Sequence, residues 1–244
     1  MIEKTAIIGD IHACIDELNE LLYLLDYTSP NVRIISLGDQ IDRGPDSVAV
    51  VKRCRELNIE SVLGNHEVKY LKWLKNKGSR SDVLGSRDKP AHYYQLSDDD
   101  VNYIARMPLY LKLEPLNTIV VHAGLRAGVP LEKQTKDDLC YIRFMDEDKK
   151  FVSLRKINQL GSKESAGAHF WTQHGPWGYN VVYGHHVHSM ADIKIDCYDD
   201  GTAAYGIDTG CCFNGRLSAI ILETKEVIQV QAKREYYRSS FEIR

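Results

Sequence analysis

The sequence predicts an α/β fold, with a parallel sheet in its first half and a strand-rich second half. Two observations predict it. First, apolar runs and amphipathic stretches alternate over residues 5–77 in the order β-α-β-α-β-α, the order of parallel strands joined by crossover helices. Second, each of those apolar runs ends in Gly-Asp or Gly-Asn. Polar side chains then sit at the carboxyl ends of the strands, where open α/β sheets bind ligands.

The elements follow in order. "TAIIGD" reads as a buried strand closed by a glycine turn. "CIDELNELLYLLDY" carries Leu18, Leu21, Leu22 and Leu25 at helical spacing. "VRIISLGD" is the next strand and "DSVAVVKRCREL" the next helix, with Asp46 or Ser47 as its N-cap. "IESVLGN" and "HEVKYLKWLKNK" give a third strand and a third helix. The polar insert Gly78–Pro90 reads either as a lid or as a solvated connection. Ser97 caps a helix over "DDDVNYIARM". The strands of the second half are "LYLKL", "TIVVHAG", "NVVYGHH", "AYGIDTG", "RLSAIIL" and "EVIQVQAK". With 244 residues and no strong linker, residues 1–244 are expected to form one domain.

Composition narrows the function classes. At 43% hydrophobic and 27% charged, the chain has the make-up of a packed protein rather than a disordered one. A net charge of −3 argues against an extended nucleic-acid surface while leaving room for a local basic pocket. No apolar run approaches the roughly 20 residues that span a bilayer, and the N-terminal run is short for a signal peptide. The six cysteines form no C-x-x-C pair, which fits reduced, buried thiols in a cytoplasmic protein.

Five segments share one design, an apolar strand that ends in metal-capable residues. They are "IIGDIH" (Asp10, His12), "SLGDQIDRG" (Asp39, Asp42, Arg43), "VLGNHE" (Asn65, His66, Glu67), "VVHAG" (His122) and "VVYGHHVH" (His185, His186, His188). Singly, a Gly-Asp is a turn and a lone histidine is structural. Independent turns, however, have no reason to place such residues at one edge of one sheet. Mixed carboxylate, imidazole and amide-oxygen donors suit Mn2+, Fe2+ or Zn2+.

In order and spacing, "GDIH", "GDQIDRG", "GNHE", "HAG" and "GH" resemble the calcineurin-like metallophosphoesterases of the phosphoprotein-phosphatase type. Downstream, "PLYLKL", "VVHAGLRAGVPLEKQ", "GPWGYNVVYGH" and "GIDTGCCFNGRLSAIIL" look like the ApaH-like branch, which includes symmetrical diadenosine tetraphosphate hydrolases. Ala127 stands where such sequences often carry proline. The resemblance implies a four-layer α/β/β/α sandwich with a metal site at the carboxyl ends of the strands. It also implies two divalent ions, Mn2+ first, with Fe, Zn, Co or Ni as other candidates.

By that resemblance Asp10, His12 and Asp39 hold one ion, Asp39 bridges, and Asn65, His122 and His185 complete the other. A carboxylate has two oxygens and can bridge; an imidazole cannot. His66 is then the acid that protonates the leaving oxygen, oriented by Asp42, while Arg43 clamps the phosphate together with Asn65. Arg143 and Arg126 are candidates for further phosphate contacts, Arg143 preferred, each set against an ordinary surface arginine. His185 is the ligand of "GHHVH" because it directly follows the glycine, and the roles of His186 and His188 stay open. Glu67 reads as a residue of the next helix whose charge suits the helix dipole. Trp171, Trp177 and Tyr179 either stack on a nucleobase or, by the stronger expectation, pack under the sheet.

The implied activity is hydrolysis of a dinucleoside polyphosphate, such as diadenosine tetraphosphate, by hydroxide generated at the metals. The alternative keeps the chemistry on a phosphoserine or phosphothreonine protein. A non-catalytic metal-binding module is a third reading, opposed by intact Asp42, Arg43 and His66. The expected partner is a small nucleotide or a phosphorylated substrate, with no membrane.

Overall fold

The computed structural model describes residues 4–76 and 95–238, so the Gly78–Pro90 insert lies outside the described residues. Two five-stranded sheets lie face to face. In the first, β1 (Lys4–Ile8), β2 (Val32–Ser36) and β3 (Glu60–Ser61) run parallel; β12 (Arg216–Ile221) and β13 (Val227–Gln231) extend it antiparallel beyond β1. In the second, β5 (Thr118–Val121), β9 (Asn180–Tyr183) and β11 (Ala203–Gly206) run parallel, flanked antiparallel by β4 (Tyr110–Leu113) and β10 (Lys194–Cys197).

Side-chain alternation assigns the layers. Ala6 and Ile8 of β1 face outward onto α1 (Ile15–Leu24), where Leu18, Leu21 and Leu22 meet them. Ile7 between them faces inward with Ile35, against Val120 and Val182 of the second sheet. Both faces of β1 are therefore buried, which is why its sequence reads as a continuous apolar run. Each of the three leucines is fully buried, a contribution of about 1.5–3 kcal/mol apiece. α2 (Ser47–Glu56) and α4 (Asp98–Ala105) continue the outer helical layer, and α3 (Asn65–Lys75) packs with α4 through Tyr70, Trp73 and Ile104.

On the far side, Ile119, Val121, Val181 and Tyr183 pack against Leu131, Leu139 and Trp171. That fourth layer includes the short α5 (Lys136–Tyr141). A small sheet of β6 (Phe144–Met145), β7 (Phe151–Val152) and β8 (His169–Phe170) adjoins it, together with α6 (Leu154–Leu160). The order is helix, sheet, sheet, helix, as the family resemblance implies, with an outer layer of short pieces.

The helix caps follow the sequence signals. Asp46 accepts from the Ala49 N–H (2.8 Å), and Ser97 forms a capping box with Asp100. Three expectations need adjusting. β3 is two residues long, because pairing with β2 stops at Ser36–Ser61 and the Leu63 N–H turns to the Pro108 carbonyl (2.8 Å). The first helix ends at Leu24, three residues before the predicted Tyr27. The small sheet, α5, α6 and β10 are absent from the sequence expectation; two-residue strands are too short to show alternation. All six cysteines are free thiols, and only Cys197 is exposed. Among the described residues no helix is long and apolar enough to cross a membrane.

Candidate active site

Six parallel strands point their carboxyl ends to one place. Asp10 and His12 follow β1, Asp39 follows β2, Asn65 follows β3, His122 follows β5, His185 follows β9 and Asp208 follows β11. The loops that carry these residues are left-handed at His12 (φ 45°), Asp39 (46°), Asp42 (71°), Arg43 (69°) and His185 (67°). Such conformations cost of order 1 kcal/mol or more each for non-glycine residues and cluster where side chains must converge. Gly38 shows how close the loops run. A Cβ there would lie 2.5 Å from Gly64 N, and its φ is +85°.

Asp39 is the centre. Its Oδ1 lies 3.5 Å from His122 Nε2, and its Oδ2 lies 3.6 Å from His12 Nε2 and 3.8 Å from His66 Nε2. Around His122 Nε2 also stand Asn65 Oδ1 (3.1 Å) and His185 Nδ1 (3.2 Å). The His122 Nδ1–H donates to the Leu37 carbonyl (2.8 Å), so Nε2 carries a bare lone pair. A lone pair facing the oxygens of Asn65 and Asp39 is repulsive unless a cation lies between them, so the donor set fits a divalent ion. His12 repeats the pattern: its Nδ1–H donates to the Ile41 carbonyl (3.2 Å), and Nε2 faces Asp39, with Asp10 Oδ2 at 4.0 Å. Carbonyl-oriented imidazoles are a common outer-shell arrangement in metal sites.

The remaining site residues fall around these two groups. His66 Nδ1 hydrogen-bonds Asp42 Oδ2, while its buried Nε2 has no hydrogen-bond partner among the described residues. The Arg43 guanidinium donates to His12 Nε2 (2.7 Å), the lone pair that a metal there would take. Arg143 donates to the His185 carbonyl (3.0 Å), bringing a second guanidinium to the cluster. Arg126 instead stands 3.9 Å from Asp138, with its backbone held by Gln134. His186 and His188 turn into an aromatic group with Phe170, where Tyr183 hydrogen-bonds His188 (3.2 Å). Trp171, Trp177 and Tyr179 pack beneath the second sheet.

Two contributors escape the sequence reading. Glu67 does more than start a helix: its carboxylate accepts the N–H groups of Asp39 (2.8 Å), Gln40 (2.8 Å) and Ile41 (3.3 Å), clasping the Asp39 loop. Asp208 was legible in principle, since "YGIDTG" repeats the strand-then-aspartate design, but its segment reads first as a marker of the ApaH-like branch. Gly184 is a third constraint. A Cβ there would lie 2.0 Å from Asp10 Oδ1, whose carboxylate accepts from the His185 N–H (3.1 and 3.2 Å).

The electrostatics point the same way. Burial, then the charges of Asp208 and Asp39, hold Asp10 well above the ordinary carboxylate value. Burial raises Asp208 to about 6. Burial works against the charge on Asp39, and only positive charge among His122, His66, His12 and His185 brings it well below its usual value, the role that a bound cation would take over from neutral imidazoles. Burial keeps His12, His122 and His185 neutral and so available as donors. Arg143 falls to about 10 through burial and the nearby Arg43 charge. Crowded carboxylates and neutral imidazoles, buried together, are the electrostatic setting of a cation site.

With this geometry in hand, the chain compares closely with known proteins. The calcineurin-like phosphoesterase pattern matches residues 3–208. A bis(5'-nucleosyl)-tetraphosphatase PrpE (asymmetrical) from Oceanobacillus iheyensis is 29% identical, covering 98% of this chain and 96% of that protein. A symmetrical bis(5'-nucleosyl)-tetraphosphatase from Wigglesworthia glossinidia brevipalpis is 26% identical, covering 93% of this chain and 98% of that protein. A crystal structure described as a putative diadenosine tetraphosphatase superposes with a TM-score of 0.76 at 25% identity, covering 95% of each chain.

Proposed function

We propose, from the premise that the chain belongs to the calcineurin-like phosphoesterase family, that it hydrolyses a dinucleoside polyphosphate such as diadenosine tetraphosphate. One observation carries the reading: the two oxygens of Asp39 face two donor groups, one centred on the first sheet and one on the second. The substrate class is supported by the names of relatives that the chain matches over nearly their whole length. Those names include both symmetrical and asymmetrical cleavage, so the bond chosen within the polyphosphate is left open.

In this reading Asp10, His12 and Asp39 hold one divalent ion, and Asp39, Asn65, His122 and His185 hold the other, Mn2+ being the first candidate. When bound, the ions neutralise phosphate charge and lower the pKa of a water molecule. The chain's own groups do the rest. Glu67 fixes the Asp39 loop. Arg43 leaves the His12 lone pair to hold phosphate oxygens, with Arg143 beside it. Asp42 accepts from the His66 Nδ1–H and fixes the ring, so that Nε2 is placed to deliver a proton to the leaving oxygen. Ligands come from both halves of the chain, so residues 1–244 act as one catalytic unit.

The test offers purified protein with Mn2+ four substrates: diadenosine tetraphosphate, a phosphopeptide, p-nitrophenyl phosphate and capped RNA. The expected result is turnover of the dinucleotide well above the phosphopeptide. Fast phosphopeptide turnover with an inert dinucleotide would overturn the substrate assignment in favour of a protein phosphatase. Metal binding with no turnover of any substrate would point to a binding module.

A further inference from the structure

Beyond β13 the chain returns past Cys212 and Phe213 to reach Arg43. The Tyr236 and Tyr237 N–H groups both donate to the Cys212 carbonyl (3.0 and 2.9 Å), and Phe213 bridges antiparallel to Glu235. From α1, the buried Glu17 carboxylate accepts from the Lys233 N–H and the Tyr236 hydroxyl, both at 2.8 Å. This return segment is therefore fastened at several points rather than lying loose on the surface.

The fastening sets two rings against the phosphate clamp. The Arg43 Cζ lies 5.1 Å from the Phe213 ring centroid and 5.9 Å from that of Tyr237, and the two rings meet edge to face at 6.1 Å. Phe213 is half-buried and is the nearer of the two rings to Arg43. Tyr237 remains 46% exposed, so much of its ring is presented to solvent. An exposed aromatic on an anchored backbone, one guanidinium away from a phosphate site, is a surface on which a base attached to that phosphate can stack. The tryptophans that the sequence offers for stacking are committed to the core of the second sheet.

We infer that Tyr237, buttressed by Phe213, is the nucleobase platform of this site. The inference rests on the nucleotide reading given above and sharpens it. A ring at this position favours nucleoside polyphosphates over phosphopeptides, and stacking accepts any base because every base has a π-face.

Calorimetry on Mn2+-loaded protein separates the platform from a mere brace. The probes are α,β-methylene-ADP and methylenediphosphonate, which offer the same paired phosphonates with and without a nucleoside. In Tyr237→Ala, the Kd for α,β-methylene-ADP should rise about tenfold, equivalent to about 1.4 kcal/mol. The Kd for methylenediphosphonate should stay within about twofold, and Tyr237→Phe should restore nucleotide affinity. If both probes weaken by the same factor, Tyr237 only supports Arg43 and the platform is wrong; it is equally wrong if neither probe moves. Dinucleotide turnover by the unaltered enzyme is measured separately. Absent turnover with an intact nucleoside-specific effect would overturn the proposed reaction and support the platform.

Discussion

The two sheets deliver their shares of the site by different means. The first sends Asp10, His12, Asp39, Asp42 and Arg43 on loops, four of these five with left-handed backbone, and Glu67 holds the central loop through three N–H groups. The second sends His122 directly from the end of β5, with its ring fixed by the Leu37 carbonyl of the opposite sheet. The first sheet thus carries the carboxylates Asp10, Asp39 and Asp42 and the Arg43 guanidinium, whereas the second carries the imidazoles of His122 and His185, with Asp208 as its one carboxylate in the cluster among the described residues. Asp39 joins the two halves, one oxygen to each. A site built this way should fail differently according to which half is disturbed.

Disturbing the junction should have the largest effect. Asp39→Asn replaces one ligand oxygen by an amide and removes the charge that both donor groups share. Activity should fall by about 10³-fold or more, with metal content dropping in elemental analysis. Retention of both full metal content and activity would remove Asp39 from the centre.

Next is the acid on the first half. His66→Asn should lower kcat by about 10²- to 10³-fold and leave metal content intact, because Asp42 rather than a metal fixes that ring. Metal loss in this variant would make His66 a ligand, a role that its place near His12 and Asp39 also permits.

The clasp comes third. Glu67→Gln turns an NH2 group toward N–H donors that now meet two oxygens, and the hydrogen bonds lost should cost about 1–3 kcal/mol in urea unfolding. Activity should fall with it, since the Asp39 loop is what Glu67 holds. Unchanged stability would mean that the left-handed loop needs no external acceptor.

The smallest effect marks the scaffold away from the site. Against its burial, Ser97 and Arg55 hold the Asp100 carboxyl below its ordinary value. A lowered folded pKa means that its stabilisation is present above the unfolded value of about 3.9 and is lost as pH falls through the folded value. Asp100→Asn should therefore cost about 1 kcal/mol at pH 7, and the gap should narrow below about pH 4. Its kcat should match that of the unaltered protein, and a large drop would show that α4 is coupled to the site.

The same contrast explains what the sequence can reveal. The first half is legible because buried parallel strands read as apolar runs and each Gly-Asp or Gly-Asn marks a strand end; Asp10, Asp39 and Asn65 all reach the expected edge. The second half is legible as strands but not as layers. β6, β7 and β8 are two residues each, and α5 is six, too short for any period to register. Glu67 is the instructive miss. Its position after His66 fits a helix start, whereas its work is done through backbone groups 26 to 28 residues earlier, a contact no local pattern encodes. The "GHHVH" run is resolved only by packing, which turns His186 and His188 into the Phe170 group and leaves His185 at the cluster.

In the proposed arrangement Asp39 joins two cation sites, one on each sheet. Crystals grown with Mn2+ and measured at a wavelength where manganese scatters anomalously test it directly. Two anomalous peaks about 3.5–4 Å apart are expected, one beside Asp10 and His12 and one beside Asn65, His122 and His185, each in contact with a different oxygen of Asp39. A single peak, or two peaks that do not share Asp39, would contradict it.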